Sequence, residues 1–172
     1  MAAAGHQAKF RLATPVTEQL VFELAAPEPP SFANFLTGGN AEALAAVKAL
    51  AAGNAPETGV MLWGSTGAGK THLLRAAVDA VSARGGAAVF VAEPGELLAQ
   101  DPATLSRRAV VAIDGIEHAT PEAQARMFTL FNGLGERGGH LLVASRLPLA
   151  ALPLREDLRT RLGWGLVYEL TP

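Results

Sequence analysis

Apolar positions along this chain fall into two alternating patterns, short continuous runs and segments in which they recur every third or fourth residue. Runs at 60–63, 87–92, 109–113, 140–145 and 165–170 read as strands, and continuous apolarity over so few residues is what a strand covered on both faces shows. Helical periodicity marks 41–52, stopped by Gly53 and Asn54, and about 70–83, where Leu73, Leu74, Ala77, Val78 and Val81 share one face before Gly85 and Gly86. A third helix begins with Thr120 as cap and Pro121 as its first residue, buries Met127, Phe128, Phe131 and Leu134, and ends at Gly138 and Gly139. A short charged helix follows at 154–162, and 93–108 holds two brief helical turns broken at Pro94 and Pro102. Strands alternating with helices predict an α/β fold with a parallel sheet covered on both faces.

The N-terminal segment differs in pattern. Residues 1–18 show neither periodicity, which predicts a mobile tail. In 19–24 (QLVFEL) Leu20, Phe22 and Leu24 alternate as an extended segment does, and the following 25–30 (AAPEPP) is a stiff spacer. The domain reading is therefore a flexible tail and spacer over 1–30 and a globular unit over 31–172. An ordinary edge strand is the alternative for 19–24.

Composition adds exclusions. With 49% hydrophobic and 17% charged residues, the 172-residue chain is too apolar to be disordered throughout, and its length suits one domain. Fourteen basic against sixteen acidic residues give a net charge of −2, too little positive charge for general neutralisation of duplex phosphates. The absence of cysteine removes disulfides, thiolate metal sites and a thiol nucleophile. No apolar run is long enough to span a membrane, and the first residues lack the pattern of a secretion signal; a cytoplasmic location is expected.

One motif carries chemistry. Gly64-Ser65-Thr66-Gly67-Ala68-Gly69-Lys70-Thr71 matches G-x-x-x-x-G-K-[ST] between an apolar strand and an amphipathic helix. Such a loop turns backbone N–H groups toward phosphates at a positive helix terminus. Lys70 is expected to reach the β and γ phosphates, the Thr71 hydroxyl to ligate Mg²⁺, and the His72 N–H to face the α phosphate. The competing reading is a glycine turn without ligand. Asp114 closes the third strand, where a carboxylate would hold the metal's water shell; a turn-forming Asp before Gly115 is the plainer alternative. The four histidines lack metal-ligand spacing, and Trp63 and Trp164 read as packing residues.

The segments FANFLTGGNAEAL, LWGSTGAGKTHLLRA, VVAIDGIE and LREDLRTRLGWGLVYEL, in this order, resemble the nucleotide-binding base of the bacterial DnaA family and, within it, the Hda-type regulatory inactivators. The resemblance covers about 19–172 and implies a P-loop AAA+ core with sheet order 5-1-4-3-2 and ADP or ATP with Mg²⁺ as ligands. It further implies that Arg161 is an arginine finger acting in trans on a neighbour's γ-phosphate, with an i,i+4 surface pair to Asp157 as the alternative. Arg155 and Arg159 read as a solvated face. Gln19, Leu20, Phe22 and Leu24 resemble the inactivators' sliding-clamp peptide, so the implied partners are the DNA polymerase sliding clamp and initiator DnaA. Homo-oligomers are possible, and DNA is touched only indirectly. Asp157, where initiators carry arginine, favours the inactivator branch.

The chain also departs from the family. Hydrolysing relatives carry a second carboxylate beside the metal aspartate, whereas Gly115 stands here and Glu117 is two positions on. Ser145-Arg146-Leu147-Pro148-Leu149 replaces the family's Ser/Gly-Asp-Arg-Pro-Pro, and the sequence ends at Thr171-Pro172, where the family's helical lid begins. The first two departures imply weak or no ATP hydrolysis by the chain itself, and the missing lid implies weaker nucleotide affinity. The rival expectations are a self-sufficient ATPase of the initiator or helicase-loader type and a nucleotide-stabilised adaptor without catalysis.

Overall fold

The computed structural model describes residues 27–172. The expected tail, and with it Gln19, Leu20, Phe22 and Leu24, lies outside the described residues. From Ser31 onward the chain forms helix α1 (Ala41–Ala51), strand β1 (Gly59–Trp63), α2 (Lys70–Ala83), β2 (Ala88–Val91), α3 (Pro102–Leu105), β3 (Val110–Ile113), α4 (Pro121–Arg137), β4 (His140–Ser145), α5 (Glu156–Gly163) and β5 (Leu166–Glu169). All pairings are parallel, and the order β2-β3-β4-β1-β5 is the one the resemblance implies.

Side-chain alternation divides the core into two halves. Val60 and Leu62 of β1, Val110 and Ala112 of β3, and Leu142 and Ala144 of β4 meet α1 and α2 through Val47, Leu50, Leu73, Leu74 and Val81. The intervening residues Met61, Val111, Ile113, Leu141 and Val143 face Met127, Leu130 and Leu134 of α4 and Leu158 and Leu162 of α5. The central strands are therefore buried on both faces. At the edge, β5 alternates between half-buried Leu166 and Tyr168 and exposed Val167 and Glu169.

Local chemistry sets the element ends. Thr120 Oγ1 accepts the Ala123 N–H at 3.3 Å, and Gly138 closes α4 in the left-handed conformation, as the sequence predicts. In 93–108 the first turn is a 3₁₀ helix (Pro94–Ala99) and the second is α3, capped by Asp101, which accepts the Thr104 N–H at 2.8 Å. The charged helix starts two residues later than expected, at Glu156, because neighbours engage the residues before it. The Gln124 Oε1 takes the Arg155 N–H at 2.8 Å, and the Arg159 guanidinium donates to the Leu152 and Leu154 carbonyls at 3.0 and 2.9 Å. Arg159 is thus a half-buried brace and not the solvated face expected of it.

Asn40, only 5% exposed, joins the two ends of the described unit. Its Nδ2 donates to the Thr171 carbonyl at 2.8 Å and its Oδ1 accepts the Thr171 N–H at 2.9 Å. The turn before α1 and the exit of β5 are thereby held together beside the phosphate loop.

Candidate functional site

Strand β1 delivers Gly64 at the C-terminal edge of the sheet, where the Gly64 N–H donates to the Ser145 carbonyl at 3.2 Å. Gly64 has φ 147°, and a Cβ there would stand 2.3 Å from the Leu170 carbonyl oxygen, so no side chain is tolerated. Gly69 caps α2 in the left-handed conformation, and the first regular helical bond is Leu73 N–H to Gly69 O at 3.0 Å. Among the described residues no side chain caps this terminus, and no acid occupies its first turn. The N–H groups of Lys70, Thr71 and His72 therefore remain for an anion.

Lys70 is buried, and its Nζ donates to the carbonyls of Gly64 at 2.8 Å and Ser65 at 2.7 Å. Burial pushes its pKa below the usual lysine value, opposed by the carboxylates of Asp114 and Glu117 and reinforced by the Arg146 charge. The ammonium is thus folded back over the loop, where phosphate oxygens would be stronger acceptors than the two carbonyls. The Thr71 hydroxyl donates to Asp114 Oδ2, while Asp114 Oδ1 accepts the Gly115 N–H at 2.9 Å. A hydroxyl and a carboxylate converge at one point, an oxygen pair of the kind a hard divalent cation takes. The uncapped helix end, the inward lysine and this oxygen pair fit a nucleotide phosphate with Mg²⁺: Lys70 and the loop N–H groups would hold the phosphates, and Thr71 and Asp114 the metal. Bound there, the metal would supply charge neutralisation on the phosphate oxygens.

A cavity of about 310 Å³ opens beside the loop, lined by Asn34, Phe35, Leu36, Gly69, His72 and Thr171 among others. Its wall is organised in advance. Ser31 and Asn34 exchange backbone-to-side-chain hydrogen bonds at 2.8 and 3.3 Å, the His72 Nε2 contacts the Ser31 carbonyl oxygen at 2.8 Å, and the Phe35 and His72 rings lie 5.6 Å apart. The glycine motif could not reveal this wall, because it comes from the segment before α1 and the exit of β5.

On the other side of the loop lie Glu117 and Arg146. The Arg146 Nε donates to Glu117 Oε1 at 3.0 Å, and the Glu117 side chain is 6% exposed. Burial by itself would raise the Glu117 pKa, but hydrogen bonds from its own backbone, Arg146 and Ser145 outweigh that and hold it below the usual glutamate value.

Arg161 is placed elsewhere. It sits in the last turn of α5, and the pairing of Leu166 with Val60 puts that turn at the N-terminal end of β1, opposite Gly64. The two ends are about 15 Å apart, the length of a five-residue strand. Its guanidinium lies 4.4 Å from the Trp164 ring centroid and 5.7 Å from that of Phe128. The pair with Asp157 does not form; Asp157 Oδ2 instead takes the Arg155 NH2 at 2.7 Å. Trp164, expected as a packing residue, is 64% exposed at the C-terminal end of α5, whereas Trp63 is half-buried against the α4 side of the core.

Residues 28–92 match the family model described as the bacterial DnaA ATPase domain. The AMPPCP-bound DnaA of Aquifex aeolicus superposes with a TM-score of 0.75 at 23% identity, over 86% of this chain and 51% of that one. The chain thus spans about half the length of that initiator. DnaI superposes with a TM-score of 0.68 at 16% identity, over 83% of this chain and 88% of its own. A Neisseria meningitidis protein of known solution structure is 30% identical over 98% of this chain and 100% of its own, with a TM-score of 0.53. The fold is the AAA+ P-loop fold of the DnaA-like proteins. No helix among the described residues is long and apolar enough to cross a membrane.

Proposed function

We propose, for a chain that belongs to the same family as the Neisseria meningitidis protein and carries the AAA+ fold of DnaA, that it regulates bacterial replication initiation. In this reading it binds ADP or ATP with Mg²⁺ through 64–72 and Asp114. The peptide Gln19, Leu20, Phe22 and Leu24 docks it on the DNA-loaded sliding clamp in the cytoplasm. Arg161 then enters the nucleotide site of ATP-bound DnaA and stimulates hydrolysis there, as expected of an Hda-type inactivator.

The observation that carries the proposal is the position of Arg161. Among the described residues it has no acidic partner; it stacks on an exposed aromatic ring and stands at the end of the sheet away from its own phosphate loop. An arginine so placed is out of reach of its own phosphate loop, which supports a role at a neighbour's nucleotide. Fingers of this kind are worth roughly 10³ to 10⁵ in rate in related phosphoryl-transfer systems. The second reading is a self-sufficient ATPase of the initiator or helicase-loader type, supported by the uncapped helix end and the Thr71–Asp114 oxygen pair of its own phosphate loop.

Phosphate release from ATP-bound DnaA in the presence of clamp-loaded DNA separates the two. Stimulation by the parent chain that is lost in both Gln19→Ala and Arg161→Ala is the expected result. Turnover by the chain alone at the rate seen with DnaA present, unaffected by Arg161→Ala, would favour the loader reading. Clamp binding with no change in DnaA hydrolysis would leave an adaptor.

A further inference from the structure

The side chains of Arg107, Arg108 and Arg137 make no hydrogen bond, ion pair or ring contact among the described residues. Other arginines are engaged: Arg75 lies 4.1 Å from the Phe90 ring centroid, and Arg126 donates to the Gln100 carbonyl at 3.0 Å. The three unengaged ones stand together at the N-terminal end of the sheet, with Arg84 beside them. Helices α2 and α4 pack on opposite faces of the sheet and finish alike, in Arg84-Gly85-Gly86 and Arg137-Gly138-Gly139. In each the first glycine is left-handed, at φ 77° and 73°, and the second donates back to the carbonyl five residues earlier, Val81 at 3.0 Å and Leu134 at 2.9 Å. The same turn thus sets Arg84 at the start of β2 and Arg137 at the start of β4. Between them Arg107 and Arg108 lead into β3, where the Ala109 N–H donates to the Ala87 carbonyl at 2.7 Å and its carbonyl accepts the His140 N–H at 2.9 Å. Ser106 and Arg137 line one cavity of about 350 Å³, and Arg84, Ala109 and Gly138 line another of about 210 Å³, so the three loops form one surface.

Loops 84–87, 107–109 and 137–139 carry four arginines and no acid, an asymmetry that the net charge of −2 conceals. Arg84, Arg107 and Arg137 are exposed and Arg108 is half-buried. Asp79, Asp101 and Glu136 flank the loops in sequence, but none of them pairs with these arginines among the described residues. Asp101 Oδ2 instead accepts from the Thr104 N–H at 2.8 Å and hydroxyl at 2.7 Å. The negative ends of the two helices, about half a charge each, offset roughly one of the four positive charges. Like charges so gathered favour an anionic partner, and guanidinium forks match phosphate oxygens. Neighbouring strands are about 4.8 Å apart, so the starts of β2 to β4 span about 10 Å. Each strand of a duplex advances about 3.4 Å per phosphate, which brings three or four phosphates within that span. The loops hold no aromatic side chain to stack on an unpaired base and no apolar one larger than alanine to enter a lipid surface. We propose that this end of the sheet binds the phosphate backbone of duplex DNA without reading its sequence. Reading bases takes an element that enters a groove, which these short turns do not supply. Binding of this kind needs neither the nucleotide nor Arg161.

The test titrates the full chain, without nucleotide, clamp or DnaA, into two fluorescein-labelled duplexes of unrelated sequence and reads anisotropy. Three or four phosphate contacts predict equal affinity for the two duplexes and a fall on the order of 10²-fold between about 50 and 200 mM salt. Arg107→Gln and Arg137→Gln should each lower the slope of log K against log salt by about 0.9, and the double variant should bind about tenfold more weakly at low salt. Arg107→Lys keeps the charge and should keep the slope. Arg155→Gln removes a cation at the other end of the sheet, beside the start of α4, and should change neither quantity. Far-UV circular dichroism and urea midpoints matching the parent show that the variants fold. No duplex binding at the lowest salt, unchanged affinity in the double variant, or an equal loss in Arg155→Gln overturns the proposal. So does tighter binding to a single strand of the same length, or binding to phosphatidylserine vesicles but not to duplex. With DnaA, clamp and nucleotide absent from the assay, each of these outcomes leaves the roles proposed for Arg161 and residues 64–72 standing.

Discussion

The Arg161 guanidinium lies 4.4 Å from the ring centroid of Trp164, which is 64% exposed. The stack directs the cation along the surface at the end of α5, and the ring restricts a side chain that otherwise samples many rotamers. An exposed tryptophan contributes little to the core, and its ring contact here is with Arg161.

Under the role proposed for Arg161, Trp164→Ala is expected to lower stimulation of DnaA hydrolysis by about tenfold while shifting stability by no more than about 0.5 kcal/mol, as for a surface site. Trp164→Phe keeps an aromatic face and should retain most of the effect. Steady-state phosphate release paired with urea denaturation checks both halves. Equal loss in Phe and Ala would mean that the ring does not position Arg161.

Asn40→Ala removes both hydrogen bonds to the Thr171 backbone, each worth about 0.5–1.5 kcal/mol of stability. Because Thr171 lines the cavity beside the loop, nucleotide affinity should weaken as well. Denaturant midpoints and calorimetry with ADP measure the two effects. Unaltered affinity in a destabilised variant would separate the clamp from the pocket.

Thr71→Val deletes the hydroxyl that meets Asp114 but keeps the side chain's shape. Adding ADP should raise Tm in the parent more with Mg²⁺ than without, and this Mg²⁺ increment should vanish in Thr71→Val. Binding only to the folded state stabilises by RT ln(1 + [L]/Kd), so ligand at about a hundredfold over Kd adds ~2.7 kcal/mol. An increment that survives the substitution would take Thr71 out of the metal site.

Glu117 has its pKa below the usual glutamate value in the folded chain. The unfolded chain then binds protons more readily, so the stability Glu117 contributes is fully present above the ordinary glutamate pKa and is lost as pH falls through the lower folded value. Urea denaturation from neutral pH into the acid range should show a shallower acid loss in Glu117→Gln than in the parent. Identical slopes would mean that the Arg146 pairing does not favour the ionised form.

The elements and the phosphate loop were legible in the sequence because their causes are local. Apolar runs and threefold-to-fourfold periodicity encode strand and helix, Thr120 with Pro121 encodes a helix start, and the glycine spacing encodes a loop that must turn its N–H groups inward. Sheet order came from resemblance, since parallel runs of similar composition do not reveal their neighbours. The α5 start was misplaced for a similar reason: Gln124, far along the chain, takes the N–H of Arg155.

What the sequence by itself determined, then, is the alternating α/β plan and the chemistry of residues 64–71, because both are written in spacings shorter than a few turns. Tertiary structure alone decided the Asn40–Thr171 clamp, the Glu117–Arg146 pair, the choice of Trp164 over Asp157 as neighbour of Arg161 and the role of Arg159 as a brace. The first two contacts join residues distant in the chain, and the last two depend on the rotamers and end geometry of one short helix. Such outcomes follow from how packed elements meet in space, which residue order does not display.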